Sequence, residues 1–274
     1  MSEPVIKQSK IKSRFARECN AIITIIARDI TIFFKSPGAI IMSFAFPLVM
    51  MGMLGGSLAQ NMTAGLTFEY GPFLMVGMLI NMLFMTTTMG MSSLVQDRIT
   101  DFTQEMMIAP ISRYSIVIGK IFGSSCGAII AMVGTLIVGL LMGISLGAHQ
   151  LLMIFVLSPL ICLSAGAVAI SIMGLVKDNR TANFAVMVIT MPQMFLSGAI
   201  IPINNSSGIL YVLSRIMPMT YSLDLIRSVV YAGTVEYESI VLFNPMFSLT
   251  VILALTTVGL VIGTFLFARS EKNR

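Results

Sequence analysis

The chain has 274 residues, of which 56% are hydrophobic and 11% are charged, and its formal net charge is +5. Soluble domains carry roughly a quarter of charged residues, so this composition excludes an ordinary soluble enzyme and indicates an all-α integral membrane protein. We interpret the excess of Lys and Arg as a determinant of membrane topology, and we do not expect nucleic acid as a partner.

The N-terminal segment 12–35 is amphipathic. Its apolar positions repeat at helical spacing, and its opposite face is mainly basic; the apolar face consists of Phe15, Cys19, Ile22, Ile23, Ile26, Ile30 and Phe33. This pattern predicts a helix that lies in the membrane interface. The alternative is a basic anchor that only sets the orientation of the chain.

Six stretches are long enough to cross about 30 Å of hydrocarbon as helices of about 20 residues. They lie near 37–58, 71–95, 118–143, 150–175, 183–203 and 246–268. Fifteen of the 17 Lys and Arg residues fall on one side of these spans, which predicts a multi-pass protein of the cell membrane with both termini in the cytoplasm. Gly119, Gly123 and Gly127 form a stripe of small residues that predicts close helix contact on the third span.

The region 204–244 before the last span is apolar but interrupted by Arg215, Pro218, Asp224 and Arg227. A seventh span here would place the C-terminus outside, against the charge bias. We therefore predict short outer helices that are broken at Pro218 and re-enter the outer leaflet.

A charged segment, "QDRITDFTQEMMIAPISRYSIVIGK" at 96–120, separates the second and third spans. It resembles the cytoplasmic segment that follows the second span in membrane subunits of type-2 ATP-binding-cassette exporters. The features shared with that family are Asp97-Arg98, Glu105, Pro110, Ser112-Arg113 and Gly119-Lys120. The match is weaker at Asp101 and Phe102, where the family usually has an acidic residue followed by Arg-Gly. "FLSGAIIPI" at 195–203, followed by Pro218, Tyr221, Asp224 and Arg227, is a second resemblance.

The resemblance implies a single permease domain over 1–274 that pairs with a second copy, as a homodimer, and with two copies of a separate ATPase. The sequence agrees that the ATPase is a separate subunit, because Gly119-Lys120 lacks the upstream glycine and the Ser or Thr of a phosphate-binding loop. We therefore expect a transporter subunit that is not an enzyme and holds no cofactor or metal, with ATP and Mg on the partner ATPase. The resemblance also implies that the subunit takes part in multidrug or antibiotic efflux.

Within that family the segment 96–115 resembles a coupling helix seated in a groove of the ATPase, with apolar anchors and a charged rim. The residues to which this role is assigned are Asp97, Arg98, Asp101, Phe102, Glu105, Met106, Pro110 and Arg113. Arg28, Asp29 and Lys35 of the interfacial helix are equally plausible partners for its charges. The alternative is a surface helix in which Arg98 and Asp101 pair with each other.

From residue 121 to 143, and in the cores of the other five spans, there is no ionisable side chain, which argues against an ion-coupled transporter. Methionines cluster on the second and fifth spans, which resemble the pathway-facing helices of the family. The candidate pathway residues are Met78, Asn81, Met82, Met85, Thr86, Met187, Met191 and Gln193. Flexible thioethers suit hydrophobic or amphiphilic compounds. The alternatives are export of a glycan or glycolipid, or a non-transport membrane anchor or sensor. The candidate outer gate comprises Pro202, Pro218, Tyr221, Asp224 and Arg227.

Overall fold

The computed structural model describes residues 3–62, 68–99, 112–176, 178–204 and 206–272, with side chains from residue 16 to 270 apart from 56–67, 98–111, 177 and 205. Within these ranges every regular element is a helix. The helices are α1 (Glu3–Phe34), α2 (Pro37–Met62), α3 (Tyr70–Ile99), α4 (Arg113–Leu141), α5 (Ala148–Met173), α6 (Asn179–Leu196), α7 (Gly208–Ile216), α8 (Pro218–Val230), α9 (Tyr237–Ile240) and α10 (Pro245–Lys272).

Five of these helices, α2, α3, α4, α5 and α10, are long and apolar enough to cross a membrane. They correspond to five of the six predicted spans, and they confirm the all-α membrane fold. The remaining predicted span, 183–203, overlaps α6, which begins four residues earlier and ends seven residues earlier, at Asn179–Leu196. Its 18 residues begin with a polar turn, and the Asp178 side chain caps that turn by accepting a hydrogen bond from the Thr181 N–H at 2.8 Å. The helix is therefore displaced toward the preceding turn, and residues 197–203 are not helical.

The region 204–244 folds as the short helices that the sequence predicted. Helices α7 and α8 meet at Met217 with a bend of 83°, which is the geometry of a broken span or a re-entrant loop. Pro218 occupies the first position of α8, where its fixed φ suits a helix and its missing N–H costs nothing. The proline thus ends one short helix and begins the next.

Helix α3 is the centre of the bundle, since it packs against α2, α4, α5, α6 and α8. Phe73, Leu79 and Phe84 are at most 1% exposed, so this helix is buried nearly all round. Gly77 permits its closest approach: a Cβ there would lie 1.9 Å from the carbonyl oxygen of Ala199. The non-helical stretch after α6 is therefore pressed directly against α3.

Helix α1 packs along α4 over the predicted glycine stripe. A Cβ at Gly119 would lie 3.3 Å from Ile25, one at Gly123 would lie 2.8 Å from Asp29, and one at Gly127 would lie 2.8 Å from Phe33. The close helix contact predicted for these glycines is confirmed, and the partner helix is the amphipathic N-terminal one.

We expect Gly77→Ala to destabilise the protein, because the new methyl group would meet a backbone carbonyl that cannot move without displacing the loop. Overpacking of this kind costs about 1–3 kcal/mol. The matched control is Gly52→Ala on α2, where a Cβ has nothing within 4 Å. Thermal unfolding of the two purified variants in detergent gives the comparison, and equal melting temperatures would contradict the close contact.

Candidate functional site

Four charged side chains meet where α1, α3 and α4 come together. The guanidinium of Arg28 binds both oxygens of the Asp97 carboxylate, with Nη1–Oδ2 and Nη2–Oδ1 distances of 3.0 and 2.5 Å. Lys120 Nζ lies 3.2 Å from Asp97 Oδ2 and 2.9 Å from Asp29 Oδ1. We call these four residues the ionic cluster. It joins three helices that are distant in sequence.

The ionic cluster is largely removed from solvent. The side chains of Lys120, Asp97 and Asp29 are 2%, 6% and 9% exposed, whereas Arg28 is 32% exposed. Two formal cations face two formal anions, and such an arrangement is tolerated in a buried position only because each charge has partners of opposite sign. Burial raises the pKa of the Asp29 carboxyl despite its contact with Lys120, and the hydrogen bond to Asp97 raises the pKa of the Arg28 guanidinium.

Helix α1 makes a further contact at the start of α4. The backbone N–H of Ser112 donates to both carboxylate oxygens of Glu18, at 3.0 and 2.9 Å. Next to it, Arg113 Nη1 donates to the carbonyl oxygen of Ala268 near the end of α10, at 2.8 Å. Asp97 and Ser112 therefore fasten α1 to the residues on either side of 98–111.

The predicted coupling residues fall partly on this arrangement. Asp97 and Arg113 are described. Of the three partners that the sequence left open for the charges of this segment, Arg28 binds Asp97, whereas Lys35 is exposed. The side chain of Arg98 and the whole of the other assigned residues lie outside the described part of the chain: Asp101, Phe102, Glu105, Met106 and Pro110. The sequence did not identify Glu18 or Lys120 as site residues, although Lys120 follows Gly119 in the glycine stripe at which α1 packs.

The candidate pathway residues on α3 do not share one environment. Met78 and Asn81 are buried in the core, at 0% and 3% exposure. Met82, Met85 and Thr86 line a cavity of about 750 Å³, and the described lining of that cavity comes from α1, α2, α3 and α4.

On α6 the assigned residues lie elsewhere. Met187 and Met191 are exposed on the outer face of that helix. Gln193 is buried, and its Oε1 accepts a hydrogen bond from the backbone N–H of Met219 at 3.1 Å. Gln193 therefore connects α6 to the start of α8, and within one subunit it does not face the cavity beside α3.

The candidate outer-gate residues hold the bent helices in place. Asp224 accepts hydrogen bonds from the backbone N–H groups of Leu242 and Phe243, at 2.6 and 3.3 Å, and from the hydroxyl of Ser248 at 2.8 Å. The Tyr221 hydroxyl donates to the carbonyl oxygen of Arg215 at 2.7 Å. These contacts join α7 and α8 to the beginning of α10.

Arg227 connects α8 to the centre of the bundle. Its Nη2 donates to the carbonyl oxygen of Gly198 at 2.9 Å, and its guanidinium carbon lies 3.6 Å from the centroid of the Phe73 ring. A cation over an aromatic face contributes about 2 kcal/mol or more when it is desolvated. Pro202 lies half-buried in the same non-helical stretch. Of the predicted outer residues, Arg227 and Pro202 thus lie at the loop after α6, whereas Asp224 binds the residues at the beginning of α10.

We expect Lys120→Met to destabilise the protein by about 3–5 kcal/mol, since it leaves two buried carboxylates with a single cation. The matched control is Lys35→Met, at an exposed position, which should change the free energy of unfolding by less than about 0.5 kcal/mol. Adding Asp29→Asn to Lys120→Met should recover part of the loss. Thermal unfolding in detergent measures all three, and similar values for Lys120→Met and Lys35→Met would refute the energetic role of the cluster.

Comparison with known proteins identifies the family of the chain. Residues 20–231, more than three quarters of the chain, match the family described as ABC-2 type transporter. A protein of Cyanophora paradoxa, ycf38, whose name describes it as a transport permease, is 25% identical over 198 residues, which cover 70% of this chain and 68% of that protein. With a helical membrane bundle and a match of this extent, the chain belongs to the ABC-2 type transporter family and is a transmembrane subunit of an ABC transporter.

Proposed function

We propose that this subunit forms, with a second copy of itself, the pathway of an ATP-driven exporter for hydrophobic or amphiphilic compounds, including drugs or antibiotics. ATP is hydrolysed by two copies of a separate ATPase, and both termini of the permease lie in the cytoplasm. One observation carries the proposal: α1 is fastened to the chain on either side of 98–111, the stretch that contains the assigned coupling residues.

These contacts make a mechanical connection. Asp97 lies two residues before the end of α3, and Ser112 caps α4, so a displacement of the intervening segment acts on both helices and on α1. Arg113 extends the connection to α10. Buried ion pairs and a glycine contact resist local slippage, since breaking a buried pair leaves an uncompensated charge. A movement imposed by the ATPase on 98–111 would therefore reach four helices together.

The proposed substrate class rests on the lining of the cavity beside α3. Met42, Met82, Met85 and Met89 contribute flexible thioethers to its wall, and Thr86 adds a hydroxyl. Methionine-rich surfaces adapt to ligands of different shape. Since residues 121–143 and the cores of the other five predicted spans carry no ionisable side chain, the energy for transport is expected to come from outside this chain.

The orientation can be tested by cysteine labelling in a variant that lacks Cys19, Cys126 and Cys162. We expect Val235→Cys, at a fully exposed position after α8, to react with a membrane-impermeant maleimide on intact cells. Arg180→Cys, exposed at the start of α6, should react only after the membrane is permeabilised. Labelling of Arg180→Cys on intact cells would contradict the proposed topology.

If 98–111 couples the ATPase to the permease, two variants should fail in different ways. Phe102→Ala should lose binding of the ATPase together with export, because truncation of a central aromatic anchor costs about 2 kcal/mol or more. Glu18→Ala should retain ATPase binding and lose export, since it removes the contact from α1 to Ser112. The control is Glu238→Ala, at an exposed position beyond α8.

A pull-down of the ATPase beside a transport assay distinguishes these outcomes. Full binding and full export in both Phe102→Ala and Glu18→Ala would show that the segment 98–111 is not the coupling element. Absence of any copurifying ATPase with the wild-type chain would refute the proposed machine as a whole.

A further inference from the structure

The cavity between α1, α2, α3 and α4 has a charged end and an apolar end. At one end it reaches Arg28, Asp29, Asp97 and Lys120, the four residues of the ionic cluster. Away from the cluster its lining includes Phe33, Met42, Phe46, Met82 and Met85. A volume of about 750 Å³ falls within the roughly 300–1,000 Å³ of ligand pockets.

The cavity is elongated along α3. Its lining on that helix runs from Met82 to Asp97. At a rise of about 1.5 Å per residue, this corresponds to about 22 Å. One leaflet contributes about 15 Å to the hydrocarbon core, so the cavity is long enough for a molecule with one polar head and an extended tail.

Among the described charged side chains at the polar end, Arg28 is the most exposed, and it is a cation. Arg28 keeps 32% of its side chain exposed, whereas the carboxylate side chains of Asp29 and Asp97 and the ammonium side chain of Lys120 are each less than a tenth exposed. Arg28 already donates one N–H each from Nη1 and Nη2 to Asp97, and a guanidinium, with five N–H donors in a plane, can bind a phosphate or carboxylate beside its first partner. Ser92, Ser93 and Gln96 add polar groups to the same end of the lining. A cationic head would instead meet the guanidinium before it reached either carboxylate.

We propose that this cavity is a binding site for an amphiphile with an anionic head, a phosphate or a carboxylate, whose head lies at Arg28 and whose tail lies along the methionines of α3. The proposal rests on the proposed function only for the statement that such a molecule is exported. Binding itself requires neither the ATPase nor ATP.

The chain contains no tryptophan, so Phe46→Trp places a single fluorescent reporter in the wall of the cavity. The full-length variant, purified in a neutral detergent, is titrated with tail-brominated lysophosphatidylglycerol, with a brominated fatty acid, and with brominated lysophosphatidylcholine. We expect saturable quenching by both anionic probes, whether lipid or free acid, and at least about tenfold weaker binding of the zwitterionic one.

Two substitutions locate the binding in the cavity. Arg28→Gln should weaken binding of the anionic probes by about tenfold, through loss of a charge-assisted hydrogen bond. Its control is Arg180→Gln, at an exposed arginine remote from the cavity. Gly38→Leu should fill part of the cavity without strain, because a Cβ at Gly38 has nothing within 4 Å, and it should also weaken binding. Its control is Gly52→Leu on the same helix, where a Cβ likewise meets open space.

Equal quenching by anionic and zwitterionic probes would overturn the proposal, and so would unchanged binding in Gly38→Leu. If Arg28→Gln does not fold, the Gly38 and Gly52 pair and the three probes still decide. Failure of the ATPase to copurify would refute the export machine while leaving these binding results intact, so the two proposals fail separately.

Discussion

The packing of four charged side chains between α1, α3 and α4, three of them largely buried and Arg28 partly exposed, is the constraint on which the rest of the structure depends. Each charge is costly to bury alone, and the four are stable together because the carboxylate of Asp97 faces both Arg28 and Lys120 while Asp29 faces Lys120. The ionic cluster requires α1 to lie close to α4, and Gly123 removes the side chain that would prevent it. The ion pairs therefore depend on the close contact between α1 and α4, and that contact depends on the glycine at position 123.

Much of the fold could be predicted from the sequence because membrane spans are long and their signal is strong. The bounds of α2, α3, α4, α5 and α10 follow from runs of apolar residues. The end of α6 was harder to predict. Residues 197–203 are as apolar as a membrane-spanning helix. Gly198 nevertheless has a φ of +87°, a left-handed conformation that ends the helix, and contacts with α3 hold the stretch in place. The end of α6 is therefore set by tertiary contacts, which cannot be predicted from hydropathy.

The candidate site could be predicted in part. Periodicity placed Arg28 and Asp29 on the amphipathic helix, and the resemblance placed Asp97 in the coupling segment. Which pairs form depends on the packing of α1 on α4, which is a long-range property with no local signal. The same limit applies to Met78 and Gln193. Both lie on helices assigned to the pathway, yet one is in the core and the other connects two helices.

The contact at Gly77 also has a consequence for how the bundle can deform. Because the Ala199 carbonyl oxygen lies only 1.9 Å from where a Cβ of residue 77 would be, α3 and the loop after α6 cannot slide past each other without separating first. Arg227 ties α8 to that same loop through Gly198, and Asp224 ties α8 to the residues before α10. We therefore expect the first half of α3, the loop and α8 to move together, with any large rearrangement at the boundaries of this group, as a hinge, and not within it.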